Sequence, residues 1–214
     1  MRFAMSSITV FDRQARAGVV FCLVLAGLLS GCAVTERGPA PVLYDFGDRP
    51  LAEAAAPTGS PLPSLATSVQ ASAALEGTAM LYRLAYADER QLRAYAQARW
   101  AMSPAELVQQ RLREVLSQQR VVLKPGEGAQ LLLQIELDEF SQVFESPGQS
   151  SGLLRLRATV LRASSGGDKL LAQRSVRVQR PADSAGAAGG VRALSTATDA
   201  AVAELMQWLQ QLPR

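Results

Sequence analysis

Leu131-Leu132-Leu133-Gln134-Ile135-Glu136-Leu137-Asp138 sets Leu131, Leu133, Ile135 and Leu137 on one side of the chain and Gln134, Glu136 and Asp138 on the other. A period of two is that of a strand with one dry and one wet face. Beyond it, Ser146-Pro147-Gly148 makes a turn, and Leu154, Leu156, Ala158 and Val160 then alternate with Arg155, Arg157 and Thr159. Ser164-Ser165-Gly166-Gly167 turns the chain again, into a third strand from about Lys169 to Gln179. Acids on one strand beside bases on the next predict cross-strand charge pairs on the wet face. A catalytic carboxylate at Glu136 or Asp138 is the alternative, but the sequence names no partner that would perturb its pKa.

Past a Gly/Ala-rich loop, Ser184 to Gly190, the residues Val191, Leu194, Thr198, Val202, Leu205, Leu209 and Leu212 recur at helical spacing. Trp208 widens that stripe and reads as a core contact. On the other side of the quoted strand, Ser103-Pro104-Ala105-Glu106 combines a capping Ser, a Pro at the first helical position and a Glu at the third. Ala105, Val108, Leu112, Val115 and Leu116 form the apolar stripe of that helix, which ends near Gln119, before Lys124-Pro125-Gly126. Residues 64–73, 78–87 and 90–101 read as strands, although the Ala-rich alternation from Arg93 to Arg99 also suits a helix. The fold class expected is α+β, an antiparallel sheet with two helices packed on one face, over residues 64–214.

The chain of 214 residues has no His and two Cys, so Ser-His-Asp triads, Cys-His pairs and His-liganded zinc are excluded. Arg2, Arg13 and Arg16 precede an apolar run from Ala17 to Leu29, whose 13 residues fall short of the roughly 20 needed to cross a bilayer. Residues 1–31 therefore read as a secretory signal peptide, with Met1 or Met5 as its start. Leu29-Ser30-Gly31-Cys32 resembles a lipobox, which places cleavage between Gly31 and Cys32 and a diacylglycerol and an N-acyl chain, such as palmitate, on Cys32. Removing 31 residues leaves 183, with 19 basic against 18 acidic, a balance that gives no electrostatic reason to bind nucleic acid. Cys22 leaves with the leader and Cys32 becomes the anchor, so no thiol remains for redox or nucleophilic chemistry. No metal, cofactor or catalytic constellation emerges, and no Walker loop for ATP. Several acyl chains hold a protein on a membrane more firmly than one. Ala33, where lipoproteins kept in the inner membrane often carry Asp, points to the periplasmic face of a Gram-negative outer membrane.

Residues 32–63 read as a Pro/Ala-rich tether, since six of the eleven prolines (39, 41, 50, 57, 61 and 63) fall there. Val42-Leu43-Tyr44-Asp45-Phe46-Gly47 interrupts it as a short strand that docks on the folded domain, or else as a sticky patch within a linker.

Tyr44, Tyr82-Arg83, Tyr95 and Trp100-Ala101-Met102-Ser103-Pro104, following a lipobox at Cys32, resemble the pattern of the ABC-type transport auxiliary lipoprotein (paraquat-inducible protein C-like) family. Here Pro104 stands fourth from Trp100 instead of third, a departure that leaves the start of the helix intact. The resemblance implies a non-enzymatic outer-membrane component of an Mce-type lipid transport system. Its partner would be a periplasmic Mce-domain protein, served by an inner-membrane permease and ATPase; self-association into a homo-oligomer stays open. Tyr44, Tyr82, Tyr95 and Trp100 are the candidate structural or partner-contact residues, with junction packing the first reading of the aromatics around the helix start. A periplasmic lipid-binding carrier and a lipoprotein that assists outer-membrane barrel assembly are the rival roles.

Overall fold

The computed structural model describes residues 39–48 and 62–212. The expected signal peptide 1–31, the cleavage site at Gly31 and Cys32, and the middle of the expected tether lie outside the described residues. Among the described residues, the elements run β1 (Val42–Tyr44), β2 (Leu65–Ala71), β3 (Ala79–Leu84), α1 (Ala85–Asp88), β4 (Glu89–Trp100), α2 (Pro104–Ser117), β5 (Val122–Leu123), β6 (Leu131–Ser146), β7 (Gln149–Arg162), β8 (Lys169–Pro181) and α3 (Ala187–Gln210). The α+β class is as expected, with the eight strands joined in one sheet.

β6, the strand that opens on Leu131, is the spine of that sheet. β7 covers one of its edges along nearly its whole length, antiparallel, from Leu131 opposite Arg162 to Ser146 opposite Gln149. β2 and β3 share the other edge end to end: β2 runs beside Leu131–Leu137 and β3 beside Gln142–Phe144, both parallel to β6. The sheet is therefore mixed, not purely antiparallel as the hairpin spacing predicted. The physical reason is the path of the chain. After β2, a 3-10 turn at Ala73–Leu75 interrupts the chain, and β3 resumes in the same direction along the same edge of β6. β4 then returns antiparallel to β3, and α2 crosses back before β6 starts, the kind of crossover that parallel pairing requires. β1 adds to β4 and β5 to β2, both parallel, and β8 extends the other side antiparallel to β7.

A bulge at Asp138 shifts the register of β6 between Leu137 and Glu139. One extra residue reverses the side-chain parity. Leu133, Ile135 and Leu137 face the core before it, and Phe140, Gln142 and Phe144 after it. Leu154, Leu156, Ala158 and Val160 of β7 and Val176 and Val178 of β8 complete the dry face.

Both long helices lie on that face, α2 over β2 and α3 over β6, β7 and β8, and they touch each other. The expected capping box is present: Ser103 Oγ accepts from Glu106 N, and the Ser103 backbone N–H donates to Glu106 Oε2 at 2.8 Å. Two expectations need correction. Residues 78–87 are not one strand, because β3 ends at Leu84 and Ala85–Asp88 forms a helical turn. The loop expected from Ser184 to Gly190 is in part helix: α3 starts at Ala187 and includes Gly189 and Gly190. Glycine disfavours a helix interior, but here it is the residue that fits. A Cβ on Gly190 would meet Gln142 Oε1 at 2.1 Å, and one on Gly189 would meet the Ser184 carbonyl oxygen at 2.0 Å.

Candidate functional site

The four aromatics singled out from the sequence fall into two groups. Tyr44 and Trp100 are register partners across β1 and β4, and the Ala101 N–H donates to the Tyr44 carbonyl oxygen at 2.7 Å. Trp100 is 1% exposed and packs at 5.5 Å between ring centroids from Phe140. Phe46, just beyond β1, closes this cluster edge-on to Trp100 at 6.1 Å. Trp100 is thus a core residue, whereas Tyr44 is half-buried. The turn after Phe46 is set by Asp45 Oδ1, which accepts from the Gly47 N–H at 2.8 Å, with Gly47 at a φ of 66°.

Tyr82 and Tyr95 form the second group, 4.6 Å apart across β3 and β4, with Phe144 against Tyr82. The Tyr95 hydroxyl donates to Gln142 Oε1 at 2.8 Å, and Gln142 Nε2 donates to Ser150 Oγ at 2.7 Å. Gln142 is fully buried, so this chain satisfies an amide that would otherwise carry a desolvation cost. Burial, then the neighbouring Tyr82, pushes the Tyr95 phenol up to about 12.

Segment 42–47 borders two clefts. One, of about 180 Å³, is lined by Phe46, Met102, Leu107, Arg111 and Glu114 among others. Arg111 is buried there and binds Asp199 of α3 (Nε to Oδ1, 2.7 Å) and Glu114 (3.3 Å), so that an ion pair joins the two helices. Desolvation opposes the Arg111 charge, but the hydrogen bond and charge of Asp199 outweigh it, and its pKa is raised. The other cleft, of about 590 Å³, is lined by Leu43, Tyr44 and Phe46 on one side and Asp183, Val191, Arg192, Ser195 and Thr196 on the other. Arg192 donates twice to Asp183, at 2.6 Å each, which holds the Asp183 carboxyl below and the Arg192 guanidinium above their ordinary ranges. The cleft thus has an apolar wall from β1 and a wall with an ion pair and hydroxyls from the start of α3.

On the wet face, Arg157 lies 3.5 Å from Glu136 and Arg155 3.9 Å from Asp138, the cross-strand pairs the sequence predicts. Glu139 belongs to Arg83, which reaches both its oxygens (Nη2 to Oε2, 3.0 Å; Nε to Oε1, 3.4 Å), and accepts from Ser141 Oγ at 2.6 Å. Among the described residues, no group of three or more Asp, Glu, Cys or His is placed to hold a metal ion, and no helix is long and apolar enough to cross a membrane. Sequence reasoning missed Phe46, Phe140, Gln142 and the Arg111–Asp199 and Asp183–Arg192 pairs. For Phe140 a signal existed: the apolar positions change from odd to even between Leu137 and Phe140.

These elements define a small α+β domain whose strands are tied together by packed aromatics. Residues 44–206 match the family of ABC-type transport auxiliary lipoprotein components, and the chain belongs to it. The fold resembles a Xanthomonas campestris protein of the DUF330 family, at 18% identity and a TM-score of 0.62, over 78% of this chain and 94% of that one. It also resembles an uncharacterized protein at 14% identity and a TM-score of 0.59, over 79% of this chain and 99% of that one. A search of the curated proteins finds no match.

Proposed function

We propose that this chain is the outer-membrane auxiliary component of an Mce-type lipid transport system, acylated at Cys32 and docking a periplasmic Mce-domain protein through its folded domain. The observation that carries this is the family match, which begins at Tyr44 in β1 and runs to Met206 in α3, so that it spans both the docked strand and the domain beneath it. In this role the chain is non-enzymatic. Energy comes from an ATPase and permease in the inner membrane, because phosphoryl transfer needs a phosphate-binding loop that this sequence lacks. An acyl anchor, a proline-rich tether and a compact domain let a docking factor search the periplasm at high effective concentration.

The test is crosslinking of the tagged lipoprotein in intact cells, followed by identification of its partners. Recovery of an Mce-domain protein is expected, and recovery of a barrel protein alone would move the chain to barrel assembly. Deleting the domain while keeping the anchor should disturb envelope lipids as fully as deleting the whole gene.

A further inference from the structure

Residues 149–181, which hold the β7–β8 hairpin, contain seven of the 22 basic residues of the chain but one of its 19 acidic ones, Asp168. A mature sequence close to neutral thus concentrates its positive charge on one edge of the sheet. The register sharpens this. Arg155 lies directly opposite Arg177, and Arg162 directly opposite Lys169. Like charges opposite one another on adjacent strands are destabilising. Little within the molecule relieves the first pair. Glu139, across β6 in the same row, is taken up by Arg83 and Ser141, and Asp138 reaches only Arg155, at 3.9 Å. Among the described residues no carboxylate pairs with Arg177, Arg180 or Lys169.

This charge borders an open edge. Among the described residues β8 pairs with β7 alone, which leaves the other side of a 13-residue strand without a neighbour. Elsewhere in the sheet β1 and β5 are short, with three and two residues, and β4 is also open along residues 89–97, beyond its pairing with β1, which makes Arg90 a probe of the alternative edge. An open edge is a template for a further strand. Its charge decides which strand. A second copy of β8 would bring arginines against arginines, so self-pairing is disfavoured, whereas a strand carrying Asp or Glu on the face beside Arg177 would relieve the repulsion with Arg155.

We infer that the β8 edge is the docking surface of this lipoprotein and that its occupant is an acidic extended segment of the partner protein, added as a further strand. This rests on the Mce docking reading above and names its surface and chemistry. A photo-crosslinking residue replaces Ser175 of β8 in the full acylated chain in cells, or Arg90 of β4 on the far branch of the sheet; both positions are exposed. The Ser175 probe should capture the Mce-domain protein, and Arg155→Glu with Arg177→Glu should lower capture about tenfold while Arg155→Lys with Arg177→Lys keeps it. Capture from Arg90 alone would overturn the edge assignment and leave the Mce reading intact. Capture at Ser175 that ignores the charge reversal, or that yields only phospholipid or a second copy of this chain, would also overturn the inference. If neither probe captures the Mce protein while whole-surface crosslinking recovers it, the surface is wrong and the partner right; if whole-surface crosslinking fails as well, both readings fall.

Discussion

Gly152 of β7 lies against the backbone of α3 at Leu194, so close that a Cβ on Gly152 would stand 2.6 Å from Leu194 N and 2.7 Å from the Ala193 carbonyl carbon. The contact fixes how near the last helix approaches the sheet. Leu194, fully buried, belongs to the same core cluster as Leu154 and Leu156 of β7. Because the obstacle is helix backbone and not a side chain with other rotamers, Gly152→Ala must push α3 outward. The expected loss is about 1–3 kcal/mol, the range for overpacking a dense core. Gly148→Ala, where nothing lies within 4 Å, serves as the control and should leave the urea midpoint nearly unchanged.

The cluster of Trp100, Phe140 and Phe46 joins the segment after β1 to the core of the domain. Trp100→Ala should lose about 3–5 kcal/mol, as large-to-small changes of buried aromatics do. Trp100→Phe should lose much less, since the indole Nε1 is buried without a hydrogen-bond partner and its removal breaks no bond. Phe46→Ala should act locally. The amide of Ala101, which donates to Tyr44, should lose hydrogen-exchange protection while the amides of β6 keep theirs.

How far the sequence discloses this fold depends on the range of the interaction that fixes each part. The capping box at Ser103 and Glu106 and the β6–β7–β8 meander are local patterns and are legible as such. The parallel pairing of β2 and β3 with β6 is not, because residues 65 and 131 meet only after a crossover through α2. Gly189 and Gly190 read as loop because their helical role depends on Ser184 and Gln142, which pack against them. Of the candidate site residues, Trp100 and Tyr95 declare themselves as aromatics at a strand-to-helix junction. Their partners Phe140 and Gln142 are hidden by the bulge at Asp138, which reverses the parity of β6.

Arg111 of α2 and Asp199 of α3 form a charge contact that ties the two helices together, and both side chains are largely shielded, at 10% and 29% exposure. A cycle of Arg111→Met, Asp199→Asn and the double variant should give a coupling energy of about 0.5–3 kcal/mol in urea unfolding. Additivity of the two single variants would show that the pair adds nothing beyond packing. Asp199→Asn alone should be the worse single change, since it leaves a buried guanidinium with Glu114 at 3.3 Å.

Tyr95 supplies a pH dependence of definite sign. Its hydroxyl donates to Gln142 Oε1, so ionisation would remove the donor, set a phenolate against an acceptor oxygen and leave the charge half-buried beside Tyr82. Burial first and Tyr82 second hold its pKa at about 12, against 10.0 for an unperturbed phenol. A proton bound more tightly in the folded than in the unfolded chain stabilises the fold. That contribution is fully present below pH 10 and is lost as pH rises to about 12. The urea midpoint of the parent chain should therefore fall more steeply between pH 9 and pH 11 than that of Tyr95→Phe. Lys and Arg titrate in both chains, so their effect cancels in the comparison. Phenolate absorbance gives the second check: the phenol that titrates at about 12 in the parent chain should be missing from the variant. Equal slopes for the two proteins would mean that the Tyr95 proton is held no more tightly in the folded chain than in the unfolded one.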